Sequence, residues 1–106
     1  MTPIAVVTTV ATREEARKIA EALVARRLAA CAQIAEIESL FVWDGALQDA
    51  REFRLLLKTT ADRYDAVEQA ILAQHPYELP AVHAVAIDRI HAPYAAWIVD
   101  NSTPAG

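Results

Sequence analysis

The stretch QIAEIESLFVWDGALQDAREFRLLLKTT, residues 33–60, decides the fold. At its middle stands Asp44-Gly45, a pair that readily takes the positive φ angles of a two-residue hairpin turn. The flanking runs, Gln33 to Trp43 and Leu47 to Thr60, are therefore expected to form one long antiparallel hairpin. In the second arm Phe53, Leu55 and Leu57 share one face, whereas Glu52, Arg54, Leu56 and Lys58 share the other. That period of two marks a strand with its first face against a core. The first arm breaks the alternation, because Ile37 and Leu40 have opposite parity, and a bulge is expected between them. Both arms exceed the usual length of about five or six residues. The hairpin is expected to reach past its own domain, with something else covering its tip.

Working outward, Ile4 to Thr9 (IAVVTT) is a β-branched run apolar on both faces, the pattern of a central strand. Thr12-Arg13-Glu14-Glu15 fits a capping box, and Ala16, Ile19, Ala20, Leu23, Val24 and Leu28 follow at helical spacing. Thr60 is placed to cap a second helix running through Gln74, with Tyr64, Val67, Ala70 and Ile71 inward. His75-Pro76 ends it, since the residue before proline is pushed out of helical geometry. Ala81 to Asp88 (AVHAVAID) reads as the last strand, and Pro93 opens a short helix through Trp97 to about Asp100. Ser102 to Gly106 reads as a loose tail. The order β-α-β-β-α-β plus a helix is the α+β, ferredoxin-like plan, with two helices on one face of a four-stranded antiparallel sheet. Its last strand sits at an edge yet is apolar on both faces, which invites pairing with another chain. Pattern alone thus favours an oligomer without giving the number of subunits.

The totals agree with one domain over residues 1–106. A hydrophobic content of 55% is enough for a core and leaves apolar surface for a neighbour. Net charge is −4 and the ten Lys and Arg are scattered, so nucleic acid is not an expected partner. The single cysteine, Cys31, has no partner for an internal disulfide, which fits a reducing compartment. No basic leader and no bilayer-length apolar run is present, so a cytoplasmic protein without a membrane partner is expected.

Cys31 is the only soft metal ligand, and thiolate suits copper; the competing reading is a small buried side chain. His75 can bind a metal or cap the last carbonyls of its helix. His83 reads as an interface residue and His91 as a solvated one. No His-x-His, Cys-x-x-Cys or His-Glu-x-x-His spacing occurs, so a metal site would need ligands from different segments or subunits. Lys58 and Glu52 lie on the sheet face opposite the core, where a covered lysine would need an acid or anion as partner. Trp43 and Trp97 read as packing anchors at subunit contacts. In HPYELP, His75 to Pro80, two prolines fix the backbone and set Tyr77 and Glu78 at a defined place. No nucleophile, base and orienter stand at recognisable spacing, so no catalytic activity is expected.

Taken together, LAACA at Leu28–Ala32, Trp43-Asp44-Gly45, Glu52-x-x-Leu55-x-x-Lys58-Thr59 and His75-Pro76-Tyr77-Glu78-x-Pro80, with Trp97 downstream, resemble the CutA family of divalent-cation tolerance proteins. The resemblance runs in order over nearly the whole chain. It implies a ferredoxin-like fold, a homotrimer similar in architecture to the PII signalling proteins, and an association with copper and other divalent cations, but no defined catalysis. On it, Lys58, Tyr77, Glu78, Glu52 and Trp43 are expected in a crevice between subunits that accepts a cation or small ligand, with Cys31 and His75 as metal ligands. One departure stands out: most members carry Glu after the second proline, where this chain has Ala81. The alternative is a PII-like signalling module that binds a nucleotide or small anion between subunits. Against it, there is no glycine-rich phosphate loop and the hairpin turn is tight.

Overall fold

In the computed structural model, which describes residues 1–104, Asp44 and Gly45 take φ angles of 53° and 74° and close the expected hairpin. Its arms are β2 (Cys31–Trp43) and β3 (Ala46–Thr60). The remaining elements are β1 (Pro3–Val10), α1 (Arg13–Ala25), a 3-10 turn at Ala61–Arg63, α2 (Tyr64–Gln74), β4 (Val82–Ala86) and α3 (Ala92–Asn101). The strands form one antiparallel sheet in the order β2-β3-β1-β4, the ferredoxin-like arrangement.

The core forms where the two expected periodicities meet. Leu55 and Leu57 of β3, with Val6 and Val10 of β1, face Ala16, Ile19 and Leu23 of α1 and Val67 and Ile71 of α2. The capping box is complete: the Glu15 N–H donates to the Thr12 hydroxyl and the Thr12 N–H donates to the Glu15 carboxylate. At the other end α1 stops at Ala25 rather than continuing to Leu28. Arg27 adopts a left-handed conformation (φ 57°), the Leu28 N–H bonds to the Leu23 carbonyl, and the Arg27 N–H bonds to Val24. This is a Schellman closure without glycine, supported by the buried Leu23 and Leu28 side chains. The Arg27 guanidinium donates to the carbonyls of Asp100 and Thr103.

Three further expectations need correction. The bulge between Ile37 and Leu40 does not form, because the β2–β3 register runs unbroken from Cys31↔Lys58 to Trp43↔Ala46. Leu40 and Val42 sit on the helix side of the sheet but beyond the cover of the helices, so the apolar parity change records a tip apolar on both faces. The Thr60 side chain makes no capping bond, since the 3-10 turn separates it from α2. Ser102 and Thr103 are not loose: their hydroxyls donate to the carbonyls of Ile98 and Val99, and Ser102 is buried. Pro104 is exposed and outside any helix or strand, and Ala105 and Gly106 lie outside the described residues.

The helices α1 and α2 leave the other sheet face open except where α3 lies against one end. The molecule measures 46 × 27 × 21 Å, its long axis reflecting the projecting hairpin. Leu40, Val42 and Leu47 at its tip are 64%, 69% and 72% exposed. The edge strand β4 is also largely exposed.

Candidate functional site

The register places the chemistry on the open face, where Lys58 and Glu52 share one side of β3. Around Lys58, the Nζ donates to the Tyr94 hydroxyl at 3.1 Å and to Gln33 Oε1 at 3.3 Å, and lies 5.3 Å from the centre of the Tyr94 ring. Cys31, the cross-strand neighbour of Lys58, has its Sγ 4.0 Å from the Tyr94 hydroxyl. Cys31 is only partly buried, between the two readings of the sequence. Trp97 stacks on Tyr94, with ring centres 5.8 Å apart, and stays partly exposed like Trp43. Tyr94 organises this end of the face, and sequence reasoning missed it; its place right after Pro93, one turn before Trp97, was the available signal.

The second group lies at the other end. His75 ends α2 in extended geometry, as its proline dictates. Its ring reaches across to β1 rather than back to the carbonyls of its helix. The Thr9 carbonyl can only accept, so Nε2 carries the proton and donates to it at 2.8 Å, while Nδ1 accepts from the Tyr77 N–H at 3.2 Å. This assigns a neutral imidazole with both nitrogens in use. A metal at His75 would have to displace one of these bonds.

The corner thereby aims Tyr77, whose hydroxyl donates to Glu52 Oε2 at 2.7 Å. Burial, followed by the hydrogen bond to Glu52 and the negative charge of Glu52, raises the Tyr77 pKa well above its ordinary value. Between this pair and the hairpin lies a groove of ≈ 480 Å³, walled by Phe41, Trp43 and Leu79, with Glu52, Tyr77 and Glu78 as its polar side. Ala81 also lines it, supplying a methyl group rather than a carboxylate oxygen.

Tyr77→Phe tests this pair through pH. A raised folded-state pKa stabilises fully below the unfolded value, about 10, and that contribution is lost as pH rises above it. Unfolding titrations between about pH 8 and 11 are expected to show the wild type losing stability more steeply than Tyr77→Phe above about pH 10. Parallel curves would contradict the Glu52–Tyr77 coupling.

The two groups do not meet within one chain. Glu52 and Lys58 are six positions apart on β3, roughly 20 Å at about 3.3 Å per residue. Among the described residues no three His, Cys, Asp or Glu side chains gather as a metal-holding group. The donors of a single chain therefore do not fit a metal by themselves. His83 and His91 are exposed and outside both groups.

The family model described as CutA1 divalent ion tolerance protein matches residues 4–101. The divalent-cation tolerance protein CutA of Thermus thermophilus is 37% identical over 98 residues, covering 92% of this chain and 95% of the relative. Among solved structures, the periplasmic divalent cation tolerance protein CutA of Archaeoglobus fulgidus superposes with a TM-score of 0.92 at 32% identity, over 95% of this chain and 99% of that one. CutA of Xylella fastidiosa gives a TM-score of 0.93 at 30% identity, over 97% and 100% of the respective chains.

Proposed function

The chain belongs to the CutA1 divalent ion tolerance family, and from that premise we propose that it is a non-catalytic homotrimer that binds copper or another divalent cation, or a small ligand, in crevices between subunits. The observation that carries this reading is the split of the open face into two half-sites: Cys31, Lys58 and Tyr94 at one end, His75, Tyr77 and Glu52 at the other. A head-to-tail ring sets one end of each chain against the opposite end of the next, and in closing it also covers β4 and the hairpin tip. Cys31 of one subunit and His75 of the next would then share a cation, with Lys58, Glu52, Tyr77, Glu78 and Trp43 bordering the crevice. Thiolate and imidazole together suit copper. His75 takes part by exchanging its Tyr77 or Thr9 bond for the metal.

A cytoplasmic location belongs to this proposal and rests on the lone cysteine; no helix among the described residues is long and apolar enough to cross a membrane. Cu(II) titration followed by calorimetry is the test. Cys31→Ser and His75→Ala should each weaken binding by about tenfold or more while the trimer persists. Unchanged affinity and stoichiometry in both variants would remove these residues from the site.

A further inference from the structure

We infer that Arg27 is a positioning residue for the half-site at Cys31: it ties down the end of α3 and thereby holds the Tyr94 hydroxyl over Lys58 and Cys31. This role rests on the reading of Cys31 as a cation ligand and adds to it the residue that fixes that end of the open face. Every bond it uses runs within one chain, whatever a neighbouring subunit covers.

As a turn former Arg27 is out of place. At φ 57° it holds the left-handed conformation that closes α1, a region that glycine enters without the steric cost a Cβ brings. Its side chain supplies the reason for an arginine there. The partly buried guanidinium crosses to the other end of the chain, where Nε donates to the Thr103 carbonyl at 2.7 Å and Nη2 donates to that of Asp100. Behind it, Arg63 Nη2 donates to the Arg27 carbonyl at 3.3 Å and steadies the base of the tie.

α3 needs that tie. The last carbonyls of a helix have no partner inside it. The Ser102 and Thr103 hydroxyls serve those of Ile98 and Val99, and no basic residue lies in the last turn of α3, so the Asp100 carbonyl is served from across the molecule by Arg27. A cation at this position also meets the negative end of the helix dipole. Within α3 only Ile98 is buried, so apolar packing alone holds the helix weakly. The same helix carries Tyr94, whose hydroxyl accepts from Lys58 Nζ at 3.1 Å and stands 4.0 Å from Cys31 Sγ. Tyr94 lies about 9 Å up the axis from Asp100, at about 1.5 Å per residue. A helix rigid over that span passes the loss of its tie on to the half-site.

Arg27→Gly separates the two roles, because glycine suits the turn and removes only the guanidinium. Hydrogen exchange on the full-length protein should show the α3 amides exchanging about tenfold or more faster, the value of lost charge-assisted bonds, with β1 and β3 unchanged. Cu(II) binding should weaken by about tenfold, as for loss of an outer-shell partner of a metal ligand, with no change in oligomeric mass. Arg27→Lys keeps the charge without the two-pronged fork and should fall between wild type and Arg27→Gly in both readouts. Unchanged α3 exchange, exchange that rises equally in β1 and β3, or a loosened α3 with unaltered Cu(II) affinity overturns the inference. A wild type that takes up no Cu(II) overturns the shared-site reading instead. Alkylation of Cys31 by iodoacetamide then decides the positioning role: it should run several-fold faster in Arg27→Gly than in wild type, and equal rates overturn that role too.

Discussion

Leu47→Asp is expected to convert the proposed trimer to monomers at protein concentrations where the wild type remains assembled. Leu47 pairs across the hairpin with Val42, and both are more than two-thirds exposed in the single chain. Complete burial of such side chains is worth about 1.5–3 kcal/mol each. With Leu40 alongside, the hairpin tip presents an apolar surface that a single chain leaves uncovered. An aspartate at position 47 replaces that gain with a carboxylate that would be desolvated without a partner, a cost of several kcal/mol repeated at every interface. The core should survive, because Leu47 lies outside it. Light scattering coupled to gel filtration reads the mass directly. A Leu47→Asp protein that stays trimeric would show that the tip is not an interface.

The second large effect is complementation. If each cation lies between Cys31 of one subunit and His75 of the next, neither a Cys31→Ser trimer nor a His75→Ala trimer has an intact pair. Co-refolding the two variants makes mixed rings, and every mixed ring contains one interface at which an unaltered Cys31 faces an unaltered His75. High-affinity Cu(II) binding should therefore reappear in the mixture although it is missing from both parents. A site confined to one chain cannot be restored this way. Failure of mixed trimers, isolated by differential tags, to regain binding would contradict the shared site even if each single variant is impaired.

Much of the fold was legible because its signals are local. Asp44-Gly45 specifies its turn through the φ angles those residues tolerate, and Thr12-x-x-Glu15 specifies a helix start through two reciprocal bonds. The alternation of Phe53, Leu55 and Leu57 against Glu52 and Lys58 assigned the two faces of β3 correctly. The end of α1 was less legible, because Arg27 holds a conformation usually given to glycine and is held there by distant carbonyls of the C-terminal segment. The bulge failed for an instructive reason. Parity assumes that apolar means facing the core of the same chain, and Leu40 and Val42 break that assumption.

The site was legible in its residue types more than in its contacts. Parity put Lys58 and Glu52 on one face, and the two prolines announced a fixed corner. The pairing of Tyr77 with Glu52, the grip of His75 on the Thr9 carbonyl and the role of Tyr94 all join segments far apart in sequence. No local rule encodes such meetings.

A native mass spectrum of the metal-free protein during Cu(II) titration tests the shared-site trimer most directly. It should show a trimer that saturates at one ion per interface, with no ion retained on any monomer released by activation. A monomer in solution, or a trimer that takes up no saturating number of ions, would contradict it.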